Sequence, residues 1–306
     1  MVKVSIVVPA RNEETEIRSL LESFKKQTFK DFEVIVVDGN SSDKTREIAK
    51  KLGARVIPES GKYRSPANAR NLGVKAARGE IVGIMDADTF VNREFLKSIV
   101  EEFNRGGKRV FGVNCSIQIV KDTFWSRVRA AFIAASEAPR TPFPLFIRRE
   151  YRKAIGEWDA SVGFAEDRLY VEKINTFLAK RKELKTSFAR NAVLYLHVTR
   201  SLDELFNQQC WYGRTIRFYL AKTRNPREKF TIIRAGYPLM LLALVFPDPV
   251  FLVSLPWLAL TAYHVVKALA KGQVFGLFIP VLDFCMGLGF AVGLVESVYR
   301  KERGRD

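Results

Sequence analysis

Two carboxylates separated by one residue stand at Asp86-Ala87-Asp88, directly after the apolar run Glu80-Ile81-Val82-Gly83-Ile84-Met85. Oxygens spaced this way suit hard divalent cations such as Mg²⁺ or Mn²⁺, which also bridge phosphates. An Asp-x-Asp triplet occurs by chance in many loops, so its place at a strand end is what gives it weight. Two other polar clusters follow apolar runs in the same manner: Pro9-Ala10-Arg11-Asn12-Glu13 and Asp38 to Asp43. For Glu13 and Asp38 the plain alternative is a carboxylate at a helix start, meeting the helix dipole. The same alternative applies to Glu166-Asp167, which opens a helical run from Arg168 to Leu178. His197, one of two histidines, lies on the apolar run Val193 to Val198, where a lone histidine is more often structural.

These residues need elements to position them. Residues 2–8 are an apolar, β-branched run that ends at Pro9, the pattern of a buried strand. Glu13 to Gln27 has helical spacing, with Ile17, Leu20, Leu21 and Phe24 on one face. Phe32 to Val37 predicts a second strand. Ser42 and Asp43 then cap a helix to Leu52, stopped by Gly53. Arg55 to Ile57 is a short third strand. Ser65-Pro66 starts a helix reaching Arg78, and Glu80 to Met85 is the fourth strand. Phe95 to Phe103 is helical, Val110 to Val120 a strand, Asp122 to Ser136 a helix and Leu202 to Ala221 another. Continuous apolar strands alternating with helices predict a parallel sheet covered on both faces, with ligands outside the strands' carboxyl ends. The three polar clusters can therefore converge on one crevice.

Several segments carry a resemblance. Val4-Ser5-Ile6-Val7-Val8-Pro9-Ala10-Arg11-Asn12-Glu13 resembles the opening strand of glycosyltransferase family 2, which has the GT-A fold. Val36-Val37-Asp38-Gly39-Asn40-Ser41-Ser42-Asp43-Lys44-Thr45 resembles its second motif, and Ala69-Arg70-Asn71-Leu72-Gly73 with Gly79-Glu80-Ile81 and the Asp-x-Asp its third. Phe146-Ile147-Arg148-Arg149, then Gly156-Glu157-Trp158-Asp159 and Glu166-Asp167, resemble the acceptor-side segment. The match runs in order through residues 1–200. It implies a Rossmann-like, mostly parallel sheet and a metal-dependent hexosyltransferase, similar to polyprenyl-phosphate sugar synthases and related lipid-linked sugar transferases.

The resemblance also implies roles. Pro9, Arg11 and Glu13, with Ala10 and Asn12 between them, would line a nucleoside pocket, and Asp38 would accept a base N–H. Arg70 would join the nucleotide-sugar contacts. Asp86 would face ribose and metal, Ala87 would lie between, and Asp88 would bind Mn²⁺ or Mg²⁺ directly. Asp167, with Glu166 beside it, would be the general base, because an alcohol is a poor nucleophile until its proton is taken. His197 would sit near the diphosphate or the metal. Gln209, Trp211 and Arg214 loosely resemble a Gln-x-x-Arg-Trp motif that closes over the diphosphate or meets the acceptor; the alternative is an amphipathic helix on a membrane. Two departures stand out. Arg11 replaces a common Tyr, though a guanidinium can still stack on a base. Gly39 replaces the second member of a common acidic pair.

Bulk properties set the surroundings. The 306 residues carry a net charge of +17, attractive to anionic lipid headgroups and phosphorylated substrates. No nucleic-acid motif accompanies that charge. Three distant cysteines, Cys115, Cys210 and Cys285, offer no disulfide framework. Between Ala235 and Val266 the sole formal charge is Asp248, and between Val274 and Val298 only Asp283 and Glu296 appear. A spanning helix needs about 20 apolar residues, so Leu239 to Val266 and Val274 to Val298 are expected to cross twice. Basic residues outside both ends put the termini in the cytoplasm. The expected organisation is a catalytic domain over residues 1–222, halved at 107/108, a membrane region over 231–299 and a basic tail over 300–306. The expected activity is inverting transfer from a UDP- or GDP-type nucleotide sugar to a hydroxyl of a membrane-held acceptor. A polyprenyl phosphate acceptor is the alternative, and a non-catalytic membrane-bound nucleotide or lipid binder the rival of another class. Association with a second copy is left open.

Overall fold

The computed structural model describes residues 2–136, 146–223 and 249–302. Strands β1 (Val4–Ala10), β2 (Phe32–Asp38), β3 (Arg55–Pro58) and β4 (Ile81–Ile84) alternate with helices α1 (Glu16–Lys25), α2 (Thr45–Lys51) and α3 (Pro66–Ala76). Then come β5 (Thr89–Val91), α4 (Phe95–Gly106), β6 (Val110–Val120), α5 (Phe124–Ser136), β7 (Phe146–Arg148), α6 (Arg149–Ile155), α7 (Glu166–Ala179) and β8 (Lys185–His197). Helices α8 (Leu202–Lys222), α9 (Pro249–Ala270) and α10 (Ile279–Glu302) follow, with a short 3₁₀ turn Val274–Phe278 before the last.

The eight strands form one sheet in the order β3-β2-β1-β4-β7-β6-β8-β5. β1 runs parallel to β2 and β4, and β2 parallel to β3. Beyond β4 the sheet differs from the mostly parallel expectation: β7 is antiparallel to both β4 and β6, and β5 to β8. The sheet is mixed because its far half is not built from successive strand–helix–strand crossovers, the unit that enforces parallel order. Apolar residues on alternate sides confirm cover on both faces. Val4, Ile6, Val8, Val34 and Val36 pack with α1 and α4. Val7, Ile35, Val37, Val82 and Ile84 pack with α3 and α7.

Local signals explain several boundaries. Ser65 accepts the Asn68 N–H at 3.2 Å with Pro66 in the first turn of α3. Gly53, at φ 89°, ends α2 as glycine should. The start of α2 differs from the expectation: the helix begins at Thr45, and Asp43 Oδ1 receives the Thr45 N–H at 3.0 Å.

The chain divides into two compact units. The first holds residues 1–119, 140–161 and 166–196; the second holds 120–139, 162–165 and 197–306. In the second, Val128, Ala131, Phe132 and Ala135 of α5 share a core with Ala268, Ile279, Leu282 and Met286. Among the described residues one helix, Val274–Ser297, is long and apolar enough to cross a membrane. The expected span from Leu239 lies partly outside the described residues, as do Pro139 to Leu145; the apolar helical stretch described there is Leu258–Ala270.

Candidate active site

The loops after β1 and β2 are stitched together. Asn12, at φ 57°, donates its N–H to Ser41 Oγ at 3.0 Å, and its Oδ1 accepts the Ser42 N–H at 2.8 Å. The Glu13 N–H reaches Thr45 Oγ1 at 2.8 Å, and the Glu14 N–H reaches Asp43 Oδ2 at 3.1 Å. Asp38 is enclosed in this lattice. Its carboxylate accepts the Ser41 N–H at 3.2 Å and lies 3.4 Å from Arg46 Nε. Pro9 is half-buried, Ala10 buried and Arg11 exposed, without a side-chain partner among the described residues. Sequence reading proposed Asn12 and Glu13 as pocket residues; the bonds show them also fixing the loop.

Helix α3 supplies the link to the acidic triplet. Gly73 lets α3 press against Val7 of β1, since a Cβ there would collide with that side chain. So seated, Arg70 donates through Nη2 to Asp86 Oδ1 at 3.1 Å and through Nη1 to Glu166 Oε1. One guanidinium thereby ties the acidic triplet to Glu166, 96 residues further along the chain from Arg70. Its neighbouring carboxylates hold Arg70 charged more firmly than usual, against the cost of burial. Burial pushes the Glu166 carboxyl up, Asp167 adds to the rise, and Arg70 opposes it. Next to Arg70, Asn71 exchanges two 2.9 Å bonds with the backbone of Trp158. Sequence reading gave Asn71 no role; a side-chain amide followed by glycine two residues on was the available signal.

Asp86 is exposed, Ala87 buried and Asp88 half-buried, as a chain leaving a strand end would place them. The enclosed Oδ1 of Asp88 has no hydrogen-bond partner among the described residues. Burial, then the charges of Asp86 and Glu13, raise the Asp88 carboxyl to about 8. An enclosed acid crowded by acids is a group that a cation would satisfy. No three His, Cys, Asp or Glu side chains gather as a ready metal cluster among the described residues. Mg²⁺-type ions do not require one, because one or two carboxylates with substrate phosphates suffice. Asp86 and Asp88 fit that kind of ion.

Helix α7 begins at Glu166 after Ala165, whose φ of 58° is unusual for a residue with a Cβ. Glu166 is engaged by Arg70. Asp167 is half-buried, and its Oδ1 accepts the Arg168 N–H at 2.9 Å.

The second unit holds the remaining expected residues. His197 Nδ1 lies 2.6 Å from Arg200 Nη2 and 3.7 Å from Asp122 Oδ2, and Arg200 Nε lies 3.1 Å from the same carboxylate. A guanidinium can only donate, so Nδ1 accepts from Arg200. That ring nitrogen is thereby engaged within the second unit. On α8, Gln209 is buried with neither amide atom partnered among the described residues, Trp211 is exposed, and Arg214 Nε lies 3.0 Å from Glu296 Oε2.

A sheet covered on both faces, with acids and a buried guanidinium gathered at the carboxyl ends of β1, β2 and β4, defines an α/β protein of the nucleotide-binding class. Residues 5–169, more than half of the chain, match the family model Glycosyl transferase family 2, and the chain belongs to that family. It is 40% identical over 103 residues to the poly(ribitol-phosphate) beta-N-acetylglucosaminyltransferase TarS of Staphylococcus aureus, covering 32% of this chain but only 18% of that protein. It is 25% identical over 254 residues to a Methanococcus voltae protein, dolichyl N-acetyl-alpha-D-glucosaminyl phosphate 3-beta-D-2,3-diacetamido-2,3-dideoxy-beta-D-glucuronosyltransferase, covering 76% of this chain and 75% of that one. It shares its fold with the mannosyltransferase PcManGT of Pyrobaculum calidifontis, solved with GDP-Man and Mn²⁺, at a TM-score of 0.54 and 20% identity over 99% of this chain and 88% of that chain.

Proposed function

We propose that this chain moves a sugar, with inversion, from a nucleotide-diphosphate sugar to a hydroxyl of a membrane-held, lipid-linked acceptor. The observation that carries the reading is Asp88, whose enclosed oxygen lacks a partner beside a guanidinium that ties Asp86 to Glu166. Asp86 and Asp88 would hold Mn²⁺ or Mg²⁺, which when bound offsets the charge growing on the departing diphosphate. Pro9, Ala10 and the free guanidinium of Arg11 would flank the nucleoside. Asp167 takes the proton of the acceptor hydroxyl, because Glu166 is already committed to Arg70. Attack opposite the leaving diphosphate inverts the anomeric carbon. The Methanococcus voltae relative's name supports a lipid-linked acceptor. The apolar helix supports a membrane location, which we extend to two crossings with the catalytic residues in the cytoplasm.

Asp167→Asn and Asp88→Ala test this. Loss of a general base lowers turnover by about 10²–10⁴-fold. Asp167→Asn should lose transfer on that scale while still binding nucleotide; Asp88→Ala should lose both transfer and metal-dependent binding. Full transfer by Asp167→Asn, with Asp88→Ala inactive, would mean an acceptor that is already anionic, such as a polyprenyl phosphate. Absence of transfer from every nucleotide sugar, with Mn²⁺ and native lipid extract, would favour a non-catalytic binder.

A further inference from the structure

Beside Arg11 the floor of the first unit is lined by a carboxylate that the sequence did not single out. Glu59 follows β3, and its N–H bonds the Asp38 carbonyl at 2.8 Å. The residue is 7% exposed. Its Oε1 accepts the Ser65 N–H and Asn68 Nδ2, both at 2.9 Å. Its Oε2 accepts from no side chain or backbone group among the described residues. That oxygen faces a slot kept open by glycine: a Cβ on Gly39 would stand 3.4 Å from Glu59 Oε2, 3.1 Å from Arg11 Cβ and 3.5 Å from the Ala10 carbonyl. Asp38, by contrast, is 1% exposed and turned into its own loop, on Ser41 and Arg46.

We propose that Glu59 is the specificity-determining carboxylate of the nucleotide site, its Oε2 accepting the single imide N–H of a uracil-type base beside Gly39 and Arg11. The proposal rests on the nucleotide-sugar reading above and deepens it. A side chain at position 39 would fill the slot. Glycine there lets an acid from the end of β3 stand where an acid on β2 would otherwise reach. One open oxygen matches one imide N–H. Guanine presents two parallel donors, one of which would be left unpaired, and cytosine presents a ring nitrogen acceptor that opposes a carboxylate. The wild-type chain therefore prefers UDP to GDP and CDP.

Glu59→Gln gives an outcome that a merely structural role would not. The Ser65 N–H and Asn68 Nδ2 both donate to the Oε1 position, so they hold the glutamine carbonyl there and put its NH₂ in the slot. That donor meets the uracil N–H badly and the cytosine ring nitrogen well. In calorimetric titrations of the detergent-solubilised full chain with Mn²⁺, UDP affinity should fall tenfold or more while CDP affinity holds or rises. GDP, whose donors also meet the introduced NH₂, should not gain, and an unchanged apo melting temperature shows that the variant folds. If a folded Glu59→Gln keeps the wild-type UDP-to-CDP ratio, Glu59 does not read the base. Should Glu59→Gln fail to fold, Glu59→Asp retains the charge and draws it back from the slot. It must lose UDP affinity selectively, and equal loss for all three nucleotides overturns the assignment. Wild-type chain that binds none of them would sink the nucleotide-sugar reading itself, and this one with it.

Discussion

At the scale of single residues, Asp88 gives the proposed cation site a measurable signature. Its carboxyl is raised from 3.8 to about 8 by burial and by Asp86 and Glu13. Between those values the folded chain holds a proton that the unfolded chain has lost. Stability of the metal-free protein therefore falls as pH rises through that window. Asp88→Asn removes the penalty. It should melt a few degrees above wild type at pH 8.5 and close to it at pH 4. Mn²⁺ with a nucleoside diphosphate should then raise the melting temperature of wild type and leave the variant unmoved. An equal difference between the two proteins at both pH values would refute the assignment. The acidic triplet was legible in the sequence because a strand pattern ran straight into it. The Arg70 bridge to Glu166 was not, because the partners stand 96 residues apart and no local pattern pairs them. Glu59 was invisible for the same reason: its proposed role depends on the empty Cβ position of Gly39, at the end of the neighbouring strand.

At the scale of elements, the clearest demand falls on α8 and α10. A Cβ on Gly293 would run into the Cys210 carbonyl, one on Gly289 into that of Phe206, and one on Gly213 into that of Phe290. The two helices thus meet backbone to backbone, a contact only small residues allow. The Arg214 pair with Glu296 sits on the same seam. Gly293→Val should force the helices apart and cost about 1–3 kcal/mol, the usual scale of overpacking. Melting in detergent would show this as a lowered midpoint. An unchanged midpoint would mean the seam yields without strain. Strand and helix patterns were readable through α4, where each element has its own periodicity. They failed at β5 and β7, which have three residues each and lack room for a period. They also failed over the first half of β8, where Lys185, Thr186, Glu102-bonded Ser187 and Arg190 interrupt the apolar pattern. In the antiparallel half the pattern therefore supplied β6 and the end of β8 but not the short strands β5 and β7.

At the scale of the whole molecule, two forces could hold the chain to a membrane, and salt separates them. The net charge of +17 would draw it to anionic headgroups, an attraction screened beyond about 3 Å in roughly 1 M salt. The helix Val274–Ser297 acts through apolar surface, which salt does not weaken. That helix is two-faced. Ile279, Leu282, Met286 and Phe290 are buried, whereas Val281, Val292 and Val295 are left exposed by the described residues. Acyl chains would cover them. The full chain on anionic vesicles should therefore stay bound when washed in roughly 1 M salt and come off only in detergent. Val281→Arg with Val292→Arg puts charge on the exposed face alone, each costing about 2.5–3.5 kcal/mol near a bilayer centre. The doubly substituted chain should come off at a lower detergent concentration than wild type, because charge on that face no longer suits acyl chains. Wild type released by salt alone would assign membrane attachment to charge and leave the apolar helix as packing within the second unit.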